Sequence, residues 1–262
     1  MWAREEMPAG PLRAFRLVFA ALWLVYDVID VTTSGTAHLS EWLDSGAPRP
    51  LVQAQCGLIV CEVGLLLLGG TWVMPIALIA AACRLFEWDR YLRLNDFAYY
   101  VVTVAILANT RGPGLLRRDR AKIDDTHVAR WPRDVLLWQA GWTYLATGML
   151  KLSPAWLSGG HLWVRFGYLA ALGWHYPGVV LRCTESLACD QALSVLGAMA
   201  ELSLGALLLV RPRRRIVLPL ALGIHIFGAL MTNVWFFGPS LIAQIAFLTA
   251  PRASARAPRV PS

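Results

Sequence analysis

The sequence predicts an all-α fold: a polytopic transmembrane helical bundle of about eight membrane segments, with six or seven full crossings as the alternative. Three observations carry that prediction. Hydrophobic residues make up 57% of the 262-residue chain and charged residues only 16%, whereas soluble domains run at about 45–50% apolar and about 25% charged. The apolar residues gather into nearly charge-free runs of about fifteen to twenty, the length that crosses a hydrocarbon core. The basic residues fall mostly between those runs, where the positive-inside rule places them. One bundle accounts for residues 1–250, leaving 251–262 as a polar, disordered cytoplasmic tail.

Taken in order, the segments are 12–33, 51–69, 72–87, 96–110, 134–153, 190–210, 216–233 and 239–250. The last one, and those within 72–110, are short for a full crossing, hence the lower alternative count. The first run continues to membrane length and reads as a span, not a cleavable signal. With eight crossings and a cytoplasmic amino terminus, the cytoplasmic ends carry 17 of the 24 lysines and arginines. That asymmetry predicts both termini on the cytoplasmic side of the cell membrane. The net charge of +7 is thereby a topology signal. It points to the lipid bilayer as partner, not to nucleic acid. Internal repeats are absent, and with them the paired broken helices of a small transporter.

Residues 154–190 fall on the outer side in this topology and are rich in aromatic residues and glycine. Trp156, Trp163, Tyr168, Trp174 and Tyr176 suit a helix lying in the interface, at headgroup depth. Cys183 and Cys189 lie on the same side, in an oxidising setting. Their separation suits a structural disulfide, with a redox-active pair as the alternative. Cys56, Cys61 and Cys83 read as small apolar packing residues. No cysteine and histidine spacing suggests a metal site.

Ionisable residues inside spans are costly, so each is expected to face a cavity or a partner. Asp27 and Asp30 share one face of the first segment, Glu62 lies mid-span in the second, and Asn95 and Asp96 open the fourth. Asp96 also sits where a helix N-cap would. Lys151 ends the fifth segment just before Pro154, Glu201 lies near the middle of the sixth, and His225 near the middle of the seventh. Asp27, Asp30, Asp96 and Lys151 fall at one level, in the outer half. Two readings stand: a polar pocket opening to the outer leaflet, or charges that pair to fix helix register. A lysine ending an apolar run also anchors a helix by snorkelling.

Lys151 does not stand by itself. Gln139, Tyr144, Gly148, Lys151, Leu152, Trp156 and Gly159 form the pattern Q-x4-Y-x3-G-x2-K-L-x3-W-x2-G. This pattern resembles the core of the vitamin K-dependent gamma-carboxylase-like membrane family, also called the horizontally transferred transmembrane (HTTM) domain. The similarity extends over roughly residues 84–250. It takes in the basic loop ending at Trp131, the Glu201–Gly205 stretch ELSLG, and His225. The resemblance implies Lys151 as the base that deprotonates a reduced, vitamin K-like quinone. His225 would act beside it. Asp96, Gln139, Tyr144, Trp156 and Glu201 would shape the pocket, along with Asp27 and Asp30. It further implies a peptide or lipid substrate at the outer face, with a secreted peptide or a separate soluble substrate-binding subunit as the expected partner. Asp96 stands where the carboxylases carry a histidine, and Leu150 where they carry the first of two lysines. The expected absence of their large extracytoplasmic domain favours an alternative. In that reading the chain is a non-enzymatic membrane partner in the maturation or export of a small secreted peptide, resembling the sporulation-delaying protein B.

Overall fold

A computed structural model describes residues 6–33, 59–67, 94–108, 127–162, 164, 167, 186–232 and 237–249. These are helical except for turns and one short ribbon. Strand β1 (Glu6–Pro8) pairs antiparallel with β2 (His127–Ala129), Met7 opposite Val128. The sequence reading had no strand here, because three residues carry no periodicity to detect. The ribbon matters for placement. It fixes the start of helix α1 (Gly10–Thr33) beside the start of helix α3 (Trp131–Leu150), although more than a hundred residues separate them.

Helix α1 buries Leu12, Phe15, Phe19 and Trp23, spaced by three and four so that all lie on one face. That face meets helix α2 (Leu94–Ala108), where the Phe19 and Tyr100 rings stack at 5.8 Å and Trp23 meets Tyr100 edge-on at 4.8 Å. Residues 59–67 are helical and bury Cys61, Glu62 and Leu65 in the same core. The 72–87 segment of the sequence reading lies outside the described residues.

Helix α3 opens with Pro132 in its first turn, where the missing amide hydrogen costs nothing. Asp134 in that turn sits 3.0 Å from Arg130 and 3.3 Å from Arg133, an acid where the helix dipole favours one. Arg133 also donates, at 2.6 Å, to the carbonyl of Leu248. That bond fastens the end of helix α7 (Phe237–Leu248) to the start of α3. A single-turn helix, α4 (Pro154–Leu157), follows α3. Helices α5 (Leu187–Val210) and α6 (Arg214–Thr232) come next. Helix α7 packs on α1, α3 and α6 and buries Leu241, Gln244, Ile245 and Leu248.

The most extensive contact runs along α3 and α5, which are antiparallel. Glycines set its closeness. A methyl group on Gly205 would lie 2.8 Å from the Gly141 carbonyl oxygen, and one on Gly141 would lie 3.3 Å from the Gly205 carbonyl oxygen. Each glycine leaves room for the other's backbone, the small-residue packing typical of membrane helices. Among the described residues, α5 is the one helix long and apolar enough to cross a membrane. The outer faces of α3, α5 and α6 are apolar as well. Trp138 is 55% exposed, Leu196 64% and Ile226 56%, a pattern suited to lipid and not to water.

Candidate functional site

The site grows from the end of α3. Pro154 follows too closely for the helix to continue, so the chain turns at Lys151 and Leu152 and restarts as α4. Ser153 caps that turn, accepting from the Trp156 amide at 3.4 Å. Gly159 then adopts φ 79°, and any side chain there would lie 2.6 Å from the Gln191 amide nitrogen. Only glycine meets both demands. The turn is thereby pressed onto the first turns of α5, with Gly148 against Leu202 one level below.

This packing puts Lys151 opposite Glu201. The ammonium donates to Glu201 Oε1, and its other side faces the Trp156 ring, whose centroid lies 5.0 Å from Nζ. The lysine side chain is 24% exposed and the glutamate 11%. This is a mostly desolvated ion pair, not a snorkelling anchor. The Trp156 indole N–H donates to the Ser194 carbonyl at 3.3 Å, which fixes the ring that the ammonium faces. Glu201 Oε2 is buried and has no hydrogen-bond donor among the described residues.

About two helical turns below, a second polar pair spans α3 and α6. Tyr144 Oη lies 2.6 Å from His225 Nε2. The histidine ring is held from behind by α7, where a methyl group on Gly238 would lie 2.7 Å from Nδ1. A third layer lies lower again. Gln139 Nε2 donates to the Tyr99 carbonyl at 2.9 Å, its Oε1 accepts from Thr103 at 3.1 Å, and Tyr99 donates to Gln244 at 2.5 Å.

The structure therefore brings Lys151, Glu201 and Trp156 into one cluster and stacks Tyr144 with His225 beneath it. Gln139 belongs to the polar layer joining α2, α3 and α7, about 18 Å along the helix from Lys151 at 1.5 Å per residue. Asp27 and Asp30 lie in α1 and Asp96 in α2, and their side chains are outside the described residues. Cys183 is also outside them, as are Trp163, Tyr168, Trp174 and Tyr176. Cys189, in the first turn of α5, is disulfide-bonded. No group of three metal-ligating side chains occurs among the described residues.

Two residues that the sequence reading passed over belong beside the site. Asp190 is 0% and Ser194 1% exposed, and both carboxylate oxygens of Asp190 and the Ser194 hydroxyl lack a hydrogen-bond partner among the described residues. The available signal was helical spacing: Asp190, Ser194 and Glu201 recur at four and seven and share one face.

Helices packed through glycines, with lipid-suited outer faces and a desolvated ion pair between two of them, define a membrane-type helical bundle. A family model described as the HTTM domain matches residues 77–251, about two thirds of the chain, and the protein belongs to that gamma-carboxylase-like membrane family. No curated protein and no solved structure matches the chain.

Proposed function

We propose that this protein is a multi-pass membrane enzyme in which Lys151 acts as a base at the extracytoplasmic face, on a weakly acidic hydroxyl of a lipid-soluble quinol. The chemistry is carboxylase-like, and the group modified belongs to a peptide or a lipid. One observation carries the reading: Lys151 and Glu201 share a hydrogen bond in a mostly desolvated place, while Glu201 Oε2 has no donor among the described residues. Transfer of the bridging proton from Lys151 to Glu201 would leave both groups neutral, the direction that desolvation favours. With the proton on Glu201, Lys151 presents a neutral amine able to accept another. With the proton on Lys151, the two charges compensate and the pair rests.

The residues suit such a ligand. Trp156 offers an aromatic plate and Glu201 Oε2 an acceptor without a donor among the described residues. A bound reduced quinone would supply the weakly acidic hydroxyl and two reducing equivalents. The chain itself orients Lys151 through Trp156, balances its charge through Glu201, and holds the Tyr144–His225 pair below as a second proton-exchanging group. The eight-crossing arrangement with both termini cytoplasmic is part of this reading. The basic residues between segments support it, as does the common starting level of α1 and α3. A secreted peptide, held by a separate soluble subunit, is the partner that fits.

The test is incorporation of labelled bicarbonate into peptides by membranes containing the protein, with reduced quinones supplied. Label in wild type that vanishes in Lys151→Ala supports the proposal. Equal label in both removes Lys151 from catalysis. No label in either, with the protein folded and several quinones tried, favours the non-enzymatic partner in peptide maturation or export.

A further inference from the structure

The turn between α5 and α6 carries more positive charge than the residues around it balance. Arg211 caps the end of α5, Pro212 and Arg213 make the turn, and Arg214 and Arg215 open α6. The turn is tight: the Arg211 amide donates to the Leu207 carbonyl at 2.9 Å, and the Arg213 carbonyl accepts from Ile216 at 2.9 Å and from Val217 at 3.0 Å. Four guanidinium groups therefore leave one short stretch of backbone. All four arginines are exposed, and none has an acidic partner among the described residues. His225 lies eleven residues along α6 from Arg214, as its partner Tyr144 lies eleven along α3 from Arg133, so the turn sits near the level where α3 starts. The acids described at that end are Glu6, on the ribbon, and Asp134, already held by Arg130 and Arg133. Arg214 and Arg215 also stand where the helix dipole favours anions, with no acid in that first turn. Like charges so placed repel one another unless an anion lies among them.

The flanking residues decide what kind of anion fits. Val210, just before the turn, is 76% exposed, and Ile216, just after it, 46%. Exposed apolar side chains on both edges of a cationic turn suit the boundary between hydrocarbon and headgroups, not bulk water. We propose that the Arg211–Arg215 turn binds the phosphate of an anionic phospholipid, in the leaflet opposite to Lys151. Guanidinium groups present paired N–H donors that match phosphate oxygens two at a time. The acyl chains lie along the exposed side of α6, which carries Ile216, Leu222 and Ile226. A topology signal needs only positive charge on one side of the membrane. A lipid site needs those charges gathered, unpaired and level with apolar surface, and this turn meets all three conditions. The proposal uses nothing of the chemistry assigned to Lys151, which ends α3 where the turn lies near its start.

Native mass spectrometry of the full-length protein in detergent reads the lipids that stay bound, with phosphatidylglycerol and phosphatidylcholine of identical acyl chains supplied at equal concentration. Wild type is expected to retain phosphatidylglycerol over phosphatidylcholine by about tenfold or more at the first site filled. The triple variant Arg213→Gln/Arg214→Gln/Arg215→Gln is expected to bring the two lipids near parity. No preference in wild type overturns the proposal, as does a preference that the triple variant keeps. Inorganic phosphate that displaces the lipid at equal concentration overturns it too, since the site would then be one for a free anion. Should the triple variant fail to insert, Arg214→Gln decides. It leaves three arginines at the turn, and the preference is expected to fall about fivefold; an unchanged preference there refutes the site.

Discussion

Replacing Gly205 by alanine tests the contact that brings Lys151 to Glu201. The added methyl group would lie 2.8 Å from the Gly141 carbonyl oxygen and 2.8 Å from the Leu145 amide nitrogen. Both are backbone atoms of α3, which no rotamer change can move aside. Relief requires α3 and α5 to separate by about half an ångström or more, to reach ordinary van der Waals distance. Overpacking of this kind costs about 1–3 kcal/mol. With backbone on both sides, we expect about 2 kcal/mol, or about 5 °C in the thermal midpoint for a chain of this size. The same helix supplies the control. A methyl group on Gly197 meets nothing within 4 Å, so Gly197→Ala is expected to gain about 0.5–1 kcal/mol from helix propensity alone. Purified protein in nanodiscs, followed by circular dichroism on heating, compares the two. If Gly205→Ala melts with Gly197→Ala, or above the wild type, the glycine-set contact between α3 and α5 is wrong.

A double-mutant cycle on Lys151→Met and Glu201→Gln should give about 2 kcal/mol for each single change and less than their sum for the pair; strict additivity in denaturant unfolding would dissolve the ion pair. The figure is set below that of fully buried pairs because the Lys151 side chain is 24% exposed. Gly238→Ala should push the His225 ring off Tyr144, and nitrogen NMR of labelled histidine should then show the same change as Tyr144→Phe. An unaltered His225 resonance in Gly238→Ala would contradict the contact. Arg133→Gln removes the donor to the Leu248 carbonyl, and we expect a loss of about 1–2 kcal/mol, with faster amide exchange confined to the end of α7. Exchange that rises along α5 instead would place the effect elsewhere.

Much of the helical order is legible in the sequence because apolar runs and their breakers are local signals. The structure begins α1 at Gly10, α3 at Trp131, α5 at Leu187 and α6 at Arg214, each two or three residues before the apolar run. First turns hold charged, aromatic and capping residues that a hydropathy criterion trims away. The end of α3 was also legible, since Pro154 fixes where the helix stops and the Gly148, Trp156 and Gly159 spacing sets the turn that follows it. The particular pairings were not. That Glu201 meets Lys151, while Tyr144 meets His225, depends on the register of α3 against α5 and α6. The register follows from the shapes of Gly141, Gly148 and Gly205 against their opposite numbers, a three-dimensional fit with no one-dimensional trace. Gln139 shows the same limit. The motif puts it in line with Lys151, yet its distance along the helix gives it to another layer. Asp190 and Ser194 were obscured for a different reason: a polar residue near a helix start resembles an ordinary cap until its burial is known.

The ribbon between residues 6–8 and 127–129 acts as a parity rule on the path of the chain. It holds two distant points on the same side of whatever α1 and α3 traverse. If α1 crosses the bilayer once, the stretch between Thr33 and His127 must cross an odd number of times to bring the chain back beside its own beginning. One return or three satisfies this, and two cannot. Three is also the number of apolar runs that the sequence places in this stretch, at 51–69, 72–87 and 96–110.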